Sequence, residues 1–314
     1  MYICDCHCDT LSKLYLDDSS LYENNYHFDL KRLMGIGGGL QFCAMYIPSE
    51  YRYQGGLRYA LLLLDKYNRE LADLRGRGVD SIPILSREDA GKAMQHKAAT
   101  LLTIEEGGAI EGSLEVLRIF YQLGVRCITL TWSNRNDIAD GVNDTITGGG
   151  LTGFGRQVVR EMNKLGMIVD VSHIAPRGFW DVMEVTEKPV MATHSDAATI
   201  CDVPRNLTDE QIRAIAANRG VIGINFATQF LAADPSKADI DSIYRHIDHM
   251  LGLVGDDHVG FGSDYDGIDR TPIGAEGVEK FPAVLEYLAK KNYSAGTLEK
   301  IAHKNVFRLL DEVL

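Results

Sequence analysis

The chain has no long apolar run, no excess of basic charge and no cysteine-dense segment. A membrane-spanning helix needs about 20 consecutive apolar residues. The longest apolar stretches here fall far short, which excludes a helical membrane span. Lys and Arg total 32 against 44 Asp and Glu, a formal net charge of -12. That balance argues against nucleic acid or an anionic membrane as partner. Six cysteines in 314 residues are too few for a disulfide scaffold. Cys43, Cys127 and Cys201 lie in or near apolar runs, as buried thiols do. The first residues lack a basic stretch followed by an apolar one, so no signal peptide is expected, and the expected location is the cytoplasm. No linker, repeat or low-complexity segment interrupts the chain, so one domain spanning 1–314 is expected.

What is present is a soluble globular composition, 45% apolar and 24% charged. Eight short runs rich in Val, Ile, Leu or Thr lack strict polar alternation, the mark of strands buried on both faces. They cover residues 2–8, 40–47, 100–105, 125–131, 167–172, 189–193, 221–226 and 259–263. Helical patterns lie between most of them. Leu57, Leu61, Leu64, Leu71 and Leu74 recur at helical spacing before Gly76. The segment 152–165 ends at Gly166, a glycine stop. Thr208 and Gln211 form a capping-box pattern, with Leu207 and Ile212 as its staple. Alternating strands and helices predict an α/β fold, a TIM-type (β/α)8 barrel with its site at the C-terminal ends of the strands. The glycine runs 37–39 and 148–150 lack the context of phosphate loops and read as turns.

Imidazoles and carboxylates collect at the ends of these runs. His7 and Asp9 close the first, Glu105 and Glu106 the third, His173 the fifth, His194 the sixth and Asp264 the eighth. Such ends are where barrel enzymes place catalytic residues. Strict alternation sends Asp5, His7 and Asp9 to one face and Cys4, Cys6 and Cys8 to the other. The donors are then nitrogen and oxygen, which suits Zn²⁺, Mn²⁺ or Co²⁺. One glutamate of the 105–106 pair is expected to bridge two ions, and spacing alone does not choose between them. Asp264 or its neighbour Asp266 would accept a proton from bound water. Arg205, after the sixth run, has the chemistry to pair with a substrate carboxylate. His246 and His249 read as an exposed polar helix face, and the other histidines have no partner in the pattern.

These motifs together resemble the membrane (renal) dipeptidase family of the amidohydrolase superfamily. The similarity runs from Asp5–Asp9 through Glu106, Gly107 and Gly108, residues 128–131 and 165–173, His194 and Ser195, residues 204–206 and 259–267. The resemblance implies a binuclear zinc site. His7 and Asp9 would hold one ion, His173 and His194 the other, with Glu106 rather than Glu105 bridging. It implies Asp264 rather than Asp266 as proton acceptor, and Arg205 as partner of the C-terminal carboxylate of a dipeptide. The family cleaves dipeptides and tolerates a D-residue at the C-terminal position. Its mammalian members are lipid-anchored and disulfide-linked; this chain looks like a bacterial cytoplasmic relative, with a homodimer as one compatible assembly. There is one departure. Where the mammalian pattern has a substrate-contacting histidine, this chain has Trp132. An indole N–H donates but does not titrate, so Asn134, Asn136 or a metal is expected to cover the oxyanion.

The expected activity is hydrolysis of L-Xaa-L-Xaa and L-Xaa-D-Xaa dipeptides by a metal-bridging hydroxide. Two rivals are weighed against it. Another binuclear amidohydrolase, such as a lactonase or cyclic amidase, often bridges its metals through a modified lysine on the fourth strand, and residues 125–131 hold no lysine. A non-catalytic metal-binding barrel fits the change at Trp132 but leaves Asp264 without a role.

Overall fold

All eight apolar runs form strands, and a short ninth joins them. The computed structural model describes residues 1–314. Its strands are β1 (Ile3–Cys8), β2 (Gly39–Tyr46), β3 (Ser81–Pro83), β4 (Ala98–Glu105), β5 (Val125–Thr129), β6 (Ile168–Asp170), β7 (Met191–Ala192), β8 (Val221–Ile224) and β9 (Val259–Phe261). Neighbours pair in the order β2-β1-β9-β8-β7-β6-β5-β4, and β2 also pairs with β4. That last pairing closes an eight-strand parallel barrel, a TIM-type fold. β3 lies outside the circuit, parallel to the foot of β4. Three residues, Ser-Ile-Pro, are too few to show a period, which is why it was not expected.

Helices cover the outside. The leucine pattern becomes the helix Gly56–Gly76. The helix Gly153–Leu165 stops at Gly166, whose φ of 74° is left-handed and suits a residue without Cβ. The helix Asp209–Ala217 starts at Thr208 with both bonds of its capping box. No helix is long and apolar enough to cross a membrane.

Two apolar clusters divide the core. The larger lies between barrel and helices. The smaller draws Cys4, Cys6, Phe42, Leu101, Cys127, Ile168, Met191 and Val221 from seven strands, so it fills the lumen. Val306, Leu309 and Leu310 of the helix Asn305–Val313 join it and plug one end. Only the end carrying the C-termini of the strands remains for chemistry.

Here strict alternation in β1 fails. Cys4 and Cys6 face the lumen, while Cys8 belongs to the outer cluster. The β1–β2 register slips between Asp5, opposite Gln41, and Cys8, opposite Cys43. This bulge inserts a residue and exchanges faces. Below it sulfur fills the barrel floor. Above it His7 and Asp9 turn toward the mouth. Asp5 parts from them: its carboxylate accepts from the Ser263 amide at 2.7 Å and hydroxyl at 2.6 Å. All six cysteines are free and buried. Cys6→Ser is expected to destabilise by about 1–3 kcal/mol, the cost of burying an unpartnered hydroxyl. Urea denaturation should show that loss, and elemental analysis should show unchanged metal content.

Candidate metal centre and active site

Four strand ends bring three imidazoles and a carboxylate into contact. β4 alternates Leu101, Thr103 and Glu105 toward the lumen, and Glu105 reaches its mouth. Glu105 Oε2 lies 3.3 Å from His7 Nε2. Glu105 Oε1 lies 3.1 Å from His173 Nε2 and 3.5 Å from His194 Nε2. One carboxylate thus divides its oxygens between His7 on one side and two histidines on the other. Asp9 Oδ2 is 3.7 Å and Asp264 Oδ1 3.9 Å from His7 Nε2. His7, Glu105 and His194 form one set of clustered ligand atoms; His7, Asp9 and Asp264 form a second.

Glu106 does not take the place expected of it. It follows the end of β4 with φ 88° and turns away from the histidines. Its Oε1 accepts from the Gly108 amide at 2.9 Å and from the Asn136 side chain. Its Oε2 accepts from the Trp132 amide at 2.9 Å. Glu106 therefore ties two loops together beneath the site. Alternation through β4 was the signal: Glu105 shares parity with Thr103 and Leu101, whereas Glu106 lies beyond the strand.

Asn136 also departs from expectation. It is buried, and its amide donates to Leu130 O at 2.9 Å and to Glu106. Its carbonyl accepts from the Ile138 and Ala139 amides. Its hydrogen bonds are spent inside the protein, so none is left for a substrate. Asn134 is engaged with Ser49 and Asn143. Trp132 does line the mouth, edge-on to Tyr46 with ring centroids 5.3 Å apart and 6.1 Å from the His173 ring. With Tyr59, Phe230 and Ile268 it borders a cleft of about 370 Å³ that also exposes Asp9, Glu105 and Asp264. That volume is in the range of small-molecule sites.

Asp264 and Asp266 separate cleanly. Asp266 is occupied by the Thr10 hydroxyl and the His27 amide. Asp264 receives one bond, from Asn225 Nδ2 to Oδ2 at 3.0 Å, and keeps Oδ1 toward His7. Its φ of 60° and the 66° of His173 are left-handed conformations for residues with a Cβ. Such local strain is held in place where the surrounding fold requires it, often at functional sites. Arg205 is buried beside the cluster. It donates to Ser195 Oγ at 2.9 Å and to His194 O at 2.7 Å, and its Nε–H has no partner. It lines a second cleft, of about 220 Å³, that shares His173 with the first. His246 is not on an exposed face. It is buried, accepting from the Ala197 amide and meeting Leu231 O.

The electrostatics are those of a site short of positive charge. Burial, reinforced by Asp9 and Asp264, pushes the Glu105 carboxyl up to about 8 despite His7. Burial opposes charge on His7, but Glu105 and Asp9 outweigh it and hold the imidazole above its usual range. Burial, with Arg205 and His7 nearby, holds His173 and His194 well below theirs. Two buried atoms, His7 Nε2 and Asp9 Oδ1, have no hydrogen-bond partner. Orphaned donors of imidazole nitrogen and carboxylate oxygen, with no thiolate among them, fit Zn²⁺, Mn²⁺ or Co²⁺. A divalent ion there would expel the protons this buried cluster holds.

The chain is similar in sequence and in fold to known dipeptidases and metallopeptidases. The sequence model described as membrane dipeptidase (peptidase family M19) matches residues 1–314. A dipeptidase of Claviceps purpurea, tcpJ, is 33% identical over 301 residues, covering 91% of this chain and 69% of the relative. An uncharacterised dipeptidase of Schizosaccharomyces pombe is 38% identical over 218 residues, 69% of this chain and 53% of the relative. Among solved structures, a Rhodobacter sphaeroides metallopeptidase liganded with a phosphinate mimic of the dipeptide L-Ala-D-Ala superposes with TM-score 0.89. It is 28% identical, and the match covers 100% of this chain and 99% of that one.

Proposed function

The chain belongs to the membrane dipeptidase family, peptidase family M19, and on that premise we propose a zinc-dependent dipeptidase that cleaves L-Xaa-L-Xaa and L-Xaa-D-Xaa dipeptides. The observation that carries this reading is the division of the Glu105 oxygens between His7 and the His173–His194 pair. His7 and Asp9 would hold one ion, His173 and His194 the other, and Glu105 would bridge. Bound there, the ions supply an activated water nucleophile and a Lewis acid for the scissile carbonyl.

The protein's own groups do the rest. Asp264 takes the proton of the attacking water and delivers it to the leaving amine. Asn225 holds Oδ2, so Oδ1 is the working oxygen. Arg205 receives the C-terminal carboxylate. Two of its five N–H groups are committed to Ser195 and His194, which fixes the plane of the guanidinium and leaves three for substrate. The Rhodobacter relative's phosphinate complex supports a D-residue at the C-terminal position. Trp132, Tyr46 and Phe230 offer apolar surface to a substrate side chain.

The test is a panel of L-Xaa-L-Xaa and L-Xaa-D-Xaa dipeptides assayed on the zinc-loaded protein, with metal content measured alongside. A metal-free protein with full activity, or no turnover of any dipeptide, sinks this reading. Specificity gives a sharper check. Arg205→Ala, or amidation of the substrate carboxylate, removes a charge-assisted contact worth roughly 1.5–3 kcal/mol. The expected loss in kcat/KM is on the order of ten- to a hundredfold for either change. The two losses should not add, because both delete one interaction. Equal cleavage of a dipeptide and its amide removes Arg205 from this role.

A further inference from the structure

We propose that Asp170 sets the tautomer of His194 through the Thr193 hydroxyl, so that the lone pair of His194 faces Glu105. Its bearing on metal rests on the reading of His194 as a ligand; the tautomer itself does not.

Asp170 ends β6 and is fully buried. Its Oδ1 accepts from the amides of Ser172 and Thr193, each at 2.9 Å. Its Oδ2 accepts from the hydroxyls of Thr129 and Thr193, each at 2.6 Å. O–H···O contacts of about 2.5–2.7 Å are typical of an ionised acceptor. Four donors converge on the carboxylate, and a threonine hydroxyl has one proton to give. The proton of Thr193 is therefore committed to Asp170.

Thr193 Oγ1 is also 2.8 Å from His194 Nδ1. With its proton spent, the hydroxyl accepts there, so His194 Nδ1 carries the ring hydrogen. The other nitrogen, Nε2, is left as a lone pair. Nε2 is the atom that meets Glu105 and lies 2.8 Å from His173 Nε2. A neutral imidazole ligates only through its unprotonated nitrogen, and the partner of the other nitrogen decides which that is. His173 has no equivalent lock. Its Nδ1 faces Ser133 Oγ at 3.2 Å, a hydroxyl free to donate or accept. Asp170 is thus a positioning residue: it touches neither substrate nor metal, and acts through Thr193.

Substitution at Asp170 should invert the relay. In Asp170→Asn the carbonyl can still accept the two amides, but the NH₂ group faces the hydroxyls as a donor. Thr193 then turns its proton onto His194 Nδ1, and the ring hydrogen moves to Nε2. The experiment uses the full-length protein labelled with 15N-histidine. His194 is assigned by its disappearance from the spectrum of His194→Gln. Nitrogen shifts in the metal-free wild type should report Nδ1–H at His194, and Asp170→Asn should report Nε2–H. Zinc affinity measured by chelator competition should fall about 10- to 100-fold in Asp170→Asn. Thr193→Ser should keep both properties, and Thr193→Val should lose both. Nε2–H at His194 in the wild type overturns the proposal, as does wild-type zinc affinity in Asp170→Asn. If Asp170→Asn fails to fold, the wild-type spectrum and the two Thr193 variants still decide. If the wild type binds no zinc, the metal reading fails, while the spectrum judges the tautomer separately.

Discussion

Glu105→Ala is expected to abolish zinc binding and activity together, while Glu106→Ala is expected to leave zinc in place and weaken the fold. The two residues are adjacent and chemically identical, so the contrast isolates geometry. Glu105 is the carboxylate whose oxygens face His7 on one side and His173 and His194 on the other. Removing it leaves three imidazoles without their common partner. Metal assistance supplies several kcal/mol of transition-state stabilisation. At about 1.4 kcal/mol per tenfold, the loss in kcat/KM is on the order of a thousandfold or more. Glu106 serves three buried donors, from Gly108, Trp132 and Asn136. Each donor left unpartnered costs about 1–3 kcal/mol. Thermal unfolding should therefore single out Glu106→Ala, and elemental analysis Glu105→Ala. Loss of zinc in Glu106→Ala alone, with stability intact, would restore Glu106 as the bridge.

Asp264→Asn is expected to lower kcat by about 10²–10⁴ with the protein folded and its zinc bound, the range for losing a general acid–base group. Asparagine preserves the shape and cannot take a proton. The pH profile carries a second signature. Burial pushes the Asp264 carboxyl up to about 6, against the pull of His7. The proposed mechanism needs the deprotonated form, so activity is expected to fall as pH drops through that value. Bound cations favour the carboxylate, so the acid limb of kcat/KM should lie at or below about pH 6. That limb should vanish in Asp264→Asn. If zinc leaves with the side chain, Asp264 is a ligand, completing the set it forms with His7 and Asp9.

Much of this was legible in one dimension. The barrel was readable because strands buried on both faces leave short aliphatic runs, and the helices between them carry period and caps. The capping box at Thr208 and the glycine stop at Gly166 are local devices, decided by neighbours in sequence. His7, Asp9, His173, His194 and Asp264 stood out because parallel strands end on one rim. Three matters resisted. The bulge in β1 parts Cys8 from the lumen-facing Cys4 and Cys6, and it arises from pairing with β2 rather than from any residue type. Asn136 looked available for substrate until the fold engaged its amide from four sides. Asp170 carries no mark in the sequence because its importance lies in a threonine just past the end of the next strand.

The choice between Glu105 and Glu106 marks the boundary most plainly. Composition and periodicity determined that this chain is a parallel barrel with a carboxylate at the end of its third barrel strand, and its motifs resemble those of the membrane dipeptidase family. They are properties of residues close in sequence, and the chain carries them whether folded or not. Which glutamate faces the histidines was decided only by the tertiary structure. Alternation allots one of two neighbours to the lumen, but the strand must first be anchored, and β4 is anchored by its register with β2 and β5. A shift of one residue would exchange ligand and loop tie. That register is set by contacts between residues distant in sequence, such as Gly39 with Ala98 and Glu105 with Thr129, and no local pattern records them.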